Sequence, residues 1–159
     1  MYVTARTNYA MRALLAMAAA GPEPISAPAL AEAEQMPFTF LQTILGELRR
    51  SRLVVSQRGH DGGYRLARPA AQITAGEVVR AMDTTYAPAD DGPHPLDERP
   101  ASGAAAHLEQ LWRAADTALR RVLDETTLDD LTNGRLPAHV RALAEPAPLP
   151  EPQTTIQID

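Results

Sequence analysis

The chain has no cysteine. Disulfides and thiolate metal ligands are therefore excluded. It has no lysine either: all fifteen basic residues are arginine. No apolar run approaches the eighteen or more residues of a membrane span. The N-terminus lacks a basic region followed by an apolar stretch and a cleavage site, so no secretion signal is read there. With neither disulfides nor a signal, the expected compartment is cytoplasmic. Catalytic signatures are missing too: there is no G-x-S-x-G elbow, no Walker loop and no dinucleotide fingerprint. The four histidines, His60, His94, His107 and His139, lack close metal spacing. His94 and His107 flank an acidic stretch containing Asp90 and Glu98, but a Pro-rich loop offers little of the preorganisation that a metal site needs. The expectation is no enzyme, no metal and no cofactor.

What the chain does have is concentrated between Pro37 and Pro69, PFTFLQTILGELRRSRLVVSQRGHDGGYRLARP. Leu41, Ile44, Leu45 and Leu48 recur at helical spacing and form one apolar face. Thr39, Gln42, Thr43, Gly46, Arg49 and Arg50 fall on the other side. Two β-type runs follow, Leu53–Gln57 and Tyr64–Ala67, separated by a loop with three glycines, which reads as a hairpin. Those glycines are expected to supply positive φ. Six arginines stand against Glu47 and Asp61 in this segment. A helix with a polar outer face followed by an Arg-bearing hairpin is the form of a winged helix-turn-helix. Its helix enters the major groove, and its wing reaches the backbone or minor groove beside it.

The remaining elements fit around that unit. Residues 4–20 form a first helix capped by Thr4, with Tyr9, Ala10, Ala13, Leu14, Met17 and Ala18 as its apolar stripe, and Gly21–Pro24 stop it. Ser26 caps a second helix over about 27–34, with Pro28 in its first turn and Ile25 and Leu30 as a hydrophobic staple. Leu30 and Ala33 are expected to face the helix that starts near Pro37. Glu34-Gln35-Met36 has the length of a helix-turn-helix connector. After the wing, Thr74 and Glu77 make a capping box flanked by Ile73 and Val78. Residues 84–103 alternate prolines with acids and read as an acidic loop. From 104 to 125 helical order returns, with Leu108, Leu111, Trp112, Ala115, Leu119, Val122 and Leu123 in one continuous stripe. Either the chain itself or a partner covers that stripe. Thr127 caps one more turn that Asn133-Gly134 ends, 137–144 form a short helix, and the Pro-rich end from 146 reads as disordered.

Net charge is −5, which at first argues against a nucleic-acid partner. Residues 1–83, however, hold nine arginines against seven acids, and residues 84–159 hold six against thirteen. A mildly basic head joined to an acidic half is the expected distribution for a DNA-binding module with a regulatory part.

The order and wording of these residues also resemble a family. Asn8-Tyr9-Ala10-Met11-Arg12-Ala13-Leu14, Phe40-Leu41, Leu53-Val54, Arg58-Gly59, Gly62-Gly63-Tyr64, Leu66-Ala67-Arg68-Pro69, Ile73-Thr74 and Glu77-Val78-Val79 look like the winged-helix core of the Rrf-two family. This bacterial regulator group includes the IscR, NsrR and CymR types. The resemblance covers residues 1–83 well and 104–132 weakly. It implies a mainly α fold with a β-hairpin wing and a long C-terminal dimerisation helix. The implied division is a DNA-binding domain over 1–83, an acidic loop over 84–103, a dimerisation region over 104–132, and a short helix with a tail over 133–159. Cluster-binding members bring cysteines from the loop, and some bring a carboxylate from the first helix. Here the loop has none and the first-helix position matches Asn8, so the DNA-binding role carries over and the iron–sulfur cofactor does not.

The function expected is therefore that of a homodimeric, sequence-specific repressor of transcription on a pseudo-palindromic operator in double-stranded DNA. Thr39, Phe40, Gln42 and Thr43 are the candidates for reading bases, with Phe40 equally suited to a core position. Arg49, Arg50, Arg58, His60 and Arg65 are candidates for phosphate or wing contacts. Leu108, Leu111, Trp112, Ala115, Leu119 and Val122 are candidates for the dimer interface, with Trp112 as its anchor. The rival reading is a protein-interaction module that keeps the winged helix as a scaffold and binds a partner enzyme through its acidic half.

Overall fold

A computed structural model describes residues 3–59, 61–82 and 103–145. His60, residues 83–102, where the acidic loop is expected, and residues 146–159, where a tail is expected, lie outside the described residues. Seven α-helices and one two-stranded antiparallel sheet are present among those described: α1 (Ala5–Ala20), α2 (Ala27–Ala33), α3 (Phe38–Arg50), β1 (Val54–Gln57), β2 (Gly63–Leu66), α4 (Ala75–Met82), α5 (Ala104–Asp124), α6 (Leu128–Thr132) and α7 (Ala138–Ala144). A single 3₁₀ turn, Ala70–Gln72, separates β2 from α4.

Local chemistry starts these helices where the sequence places them. The Thr4 hydroxyl accepts from the Thr7 amide at 3.1 Å, and the Ser26 hydroxyl accepts from Ala29 at 3.3 Å. Each satisfies one of the amides left over at a helix start. The capping box at α4 is reciprocal: Glu77 N–H donates to the Thr74 hydroxyl at 3.2 Å, and Thr74 N–H donates to the Glu77 carboxylate at 3.0 Å. Thr127 and Asp130 repeat the device at α6.

The core is built by α1, α2, α3 and α4. Ala10, Ala13, Leu14 and Met17 of α1 and Leu41, Ile44, Leu45 and Leu48 of α3 are fully buried. Ile73 and Val78 join them, and so does Leu128 from α6. The end of the long helix α5 is thus tied back into the head. Ala75 N–H donates to Thr126 O at 2.8 Å, and Leu128 N–H donates to Ile73 O at 2.9 Å. In α2 the inward residue beside Leu30 is Ala31, while Ala33 is exposed. This corrects the expected Leu30–Ala33 pairing, because the helix is only two turns long and turns its last residue outward.

The sheet differs from the expected hairpin in two ways. Ile25 forms a bridge with Tyr64, donating to Tyr64 O at 2.9 Å and accepting from Tyr64 N–H at 2.8 Å, so β2 pairs on both sides. Of the three loop glycines only Gly59 has positive φ, at 120°. Gly62 and Gly63 are needed for size instead. A Cβ on Gly63 would lie 2.3 Å from Ile25 O, and one on Gly62 would lie 2.5 Å from Gln57 O.

Candidate nucleic-acid interface

The second and third helices meet at a turn that α1 holds rigid. α2 ends with Gln35 at φ 52°, the left-handed residue of a tight helix terminus, and Met36 N–H returns to Ala31 O at 2.9 Å. Arg12 of α1 reaches this turn. Its Nε donates to the Glu34 carboxylate at 3.0 Å, and an Nη donates to the Glu34 carbonyl at 2.6 Å. A second anchor joins α1 to the third turn of α3: Arg6 Nε donates to Glu47 at 2.9 Å. A third is aromatic, with the Tyr9 and Phe40 rings 5.7 Å apart and edge-to-face. α1 therefore fixes the entry, the flank and the third turn of α3.

With Leu41, Ile44, Leu45 and Leu48 turned inward, α3 exposes Thr39, Gln42, Thr43, Arg49 and Arg50. The Thr43 hydroxyl donates back to the Thr39 carbonyl at 3.3 Å. The two arginines sit in the last turn, where cations complement the helix dipole. Arg50 lies 3.7 Å from Glu47, so the one acid of this helix is flanked by Arg6 and Arg50. Past α3, Arg52 adopts φ 57° and closes the helix, with Leu53 N–H returning to Leu48 O at 2.9 Å.

The wing follows directly. β1 and β2 pair Val54 with Leu66, Val55 with Arg65, Ser56 with Tyr64 and Gln57 with Gly63. Arg58 and Arg65 are exposed. Among the described residues, neither Arg49 nor Arg58 is engaged by a carboxylate. Guanidinium groups left open in this way suit phosphate oxygens. The far end of the wing is pinned, since Arg68 donates to Glu77 at 2.9 Å and to the Gln72 carbonyl at 3.1 Å. Burial works to raise the Glu77 carboxyl pKa, but the Thr74 amide, Arg68 and Arg80 outweigh it and hold the group below its ordinary value.

Thr39, Gln42, Thr43, Arg49 and Arg50 thus share one exposed side of α3, and Arg58 and Arg65 lie on the wing beside it in the chain. Phe40 is partly withdrawn from that group: its ring leans on Tyr9, which leaves it 37% exposed. His60 lies outside the described residues. Sequence reasoning missed Arg6 and Arg12, whose role depends on acids far away in the chain. It also passed over Phe38, which is 43% exposed at the first position of α3. The Pro37-Phe38-Thr39-Phe40 order could have flagged it.

The second exposed feature is the long helix. Leu108, Leu111 and Trp112 are more than half exposed, Ala115 is exposed, and Leu119 and Val122 are half-buried. Salt links Glu109–Arg113 and Asp116–Arg120 run along other sides of α5. Among the described residues, no helix is long and apolar enough to cross a membrane.

These features agree with comparisons to known proteins. The model of the Rrf2 family, described as an iron-dependent transcriptional regulator, matches residues 3–134. The chain is 42% identical over 146 residues to a Mycobacterium tuberculosis (H37Rv) protein whose name describes a transcriptional regulator of the helix-turn-helix type, covering 91% of this chain and 89% of that one. It is 30% identical to the helix-turn-helix transcriptional regulator CymR of Bacillus subtilis, covering 84% and 91%. The solved structure of CymR, the global cysteine regulator of B. subtilis, superposes with a TM-score of 0.68 at 26% identity, over 84% of this chain and 98% of that one. The iron in the family's description does not find a cluster's donors here. Iron–sulfur clusters are held by Cys thiolates, and this chain has none. Among the described residues, no three His, Asp or Glu side chains converge as metal ligands. With the family match running from the first helix through the tie of α6 to the head, this chain belongs to the Rrf2 family of transcriptional regulators, as a cysteine-free winged-helix member and not an enzyme.

Proposed function

We propose that the protein is a cytoplasmic homodimer that represses transcription by binding a pseudo-palindromic operator in double-stranded DNA, without an iron–sulfur cluster. The observation that carries this reading is the shared exposed side of α3. Thr39, Gln42 and Thr43 offer hydrogen-bonding groups there, Arg49 and Arg50 stand beside them, and Arg58 and Arg65 project from the adjoining wing. In this reading Gln42 reads a base and the arginines hold phosphates. The open apolar side of α5 supports a paired assembly in which two heads approach one face of the duplex, about one helical turn apart or a multiple of it. The missing thiolates support regulation by a signal other than a cluster.

The test is a salt titration on two DNAs, an operator recovered from genomic fragments and a random duplex. Gln42→Ala is expected to weaken the operator by about 1–3 kcal/mol per reading contact and to relax preference at one base pair per half-site. Arg58→Ala is expected to weaken both DNAs similarly and to make the log affinity–log salt slope shallower by about one unit per lost contact, or about two for a dimer. Equal losses on both DNAs for Gln42→Ala would show that α3 is oriented differently. A wild-type protein whose binding to either DNA ignores salt would favour the protein-interaction reading instead.

A further inference from the structure

Phe38 is a large apolar side chain held in the open at the reading end of α3. It occupies the first position of the helix, after Pro37, and is 43% exposed. Its exposure is not explained by the fold. The hydrophobic staple of this helix start is complete without it, because Met36 before the cap and Leu41 at the fourth helical position are 5% and 0% exposed. The aromatic anchor to α1 is also complete without it, because Tyr9 takes Phe40 as its partner. Phe38 and Phe40 leave the helix on opposite flanks of the buried stripe. Phe38 stands one turn before Gln42, on the same side of the helix, so the two are neighbours at i and i+4.

We infer that Phe38 is a specificity-determining residue that contacts the C5-methyl group of a thymine next to the base pair reached by Gln42. The inference rests on the DNA reading above. A phenyl ring can neither donate nor accept a conventional hydrogen bond at a base edge. The thymine methyl is the one apolar group that the major-groove edges of the base pairs present. A ring placed against phosphates would gain nothing comparable. Burying a methyl between the ring and the groove removes apolar surface from water on both partners. The polar Gln42 and the apolar Phe38 would together read two adjacent positions by different chemistry.

Uracil separates this contact from every other one, since deoxyuridine lacks only the C5-methyl of thymine. The full chain selects its preferred duplex from a random-sequence library. That duplex is then resynthesised with each thymine in turn replaced by deoxyuridine. For the wild type, one thymine position per half-site is expected to lose about fourfold in affinity on demethylation, the worth of one buried methyl. Phe38→Ala is expected to bind the thymine duplex more weakly and to be indifferent to the replacement at that position. Phe38→Leu, which keeps an apolar end, is expected to retain part of the discrimination. An unchanged thymine-to-uracil ratio in Phe38→Ala, or no methyl-sensitive position in the wild type, would overturn the proposal while leaving the DNA reading intact. Failure to select any sequence would overturn both.

Discussion

Single residues decide most of what is distinctive here, and two glycines illustrate opposite cases. Gly63 lies against Ile25, where a Cβ would sit 2.3 Å from the carbonyl oxygen and 2.8 Å from Ser26 N. These are backbone atoms that cannot swing aside. Gly63→Ala is therefore expected to break the Ile25–Tyr64 bridge and destabilise the fold by about 1–3 kcal/mol, measured by urea unfolding. Gly46 on α3 has nothing within 4 Å of its missing Cβ. Gly46→Ala is expected to stabilise the free protein by up to about 1 kcal/mol through helix propensity alone. A drop in stability there would mean that the outer side of α3 is not open. The contrast also marks the limit of sequence reading. Thr4, Ser26, Thr74 and Thr127 are legible as caps because each bonds an amide three residues on. Ile25 reads only as a staple residue, because nothing local announces a bridge to Tyr64. The same holds for Arg12: its partner Glu34 is set by how α1 crosses the turn, which no periodicity encodes.

At the scale of elements, α4 is the joint between wing and long helix. Its Glu77 bonds Thr74 at the helix start and Arg68 at the wing's end. Its Arg80 bonds Asp124 at the end of α5 at 2.8 Å. Because the Glu77 carboxyl is held below its ordinary 4.5, the folded state favours its ionised form. Its contribution is then fully present above pH 4.5 and is lost as pH falls through the lower folded value. Stability of the wild type is expected to fall more steeply below pH 4.5 than that of Glu77→Gln, with the variant less stable at pH 7. Parallel acid profiles from chemical unfolding would show that Arg68 and the Thr74 amide do not discriminate between the two forms. The helix pattern and capping box of α4 are plain in the sequence. Its place as a joint is not, because the Arg80–Asp124 link and the Ile73–Leu128 and Ala75–Thr126 backbone bonds depend on α5 returning to the head.

On the scale of the whole molecule, the open stripe of α5 is the feature that a single chain leaves unresolved. Leu108, Leu111 and Trp112 are 51%, 58% and 57% exposed, although the next helix, α6, is anchored with Leu128 fully buried in the core. Because these three side chains contribute little to the protomer's own packing, a charge placed there separates assembly from folding. Leu111→Asp is expected to leave the melting of the head nearly unchanged, since Leu128 and the bonds to Ile73 and Thr126 are untouched. It is expected to weaken self-association by about 3–5 kcal/mol, because an unpaired carboxylate would be buried on each side of the pair. Leu119→Asp, half-buried already, should weaken assembly too but also cost the protomer stability. Operator binding should then fall with assembly, because two linked heads bind a two-part site by avidity that one head lacks. Binding to a single half-site should survive, since α3 and the wing are built entirely within one chain. Light scattering of the wild type at micromolar concentration gives the first reading, and a monomer there would end the dimer proposal. If Leu111→Asp stays dimeric yet loses operator affinity, the α5 stripe would act on the heads by some route other than pairing them.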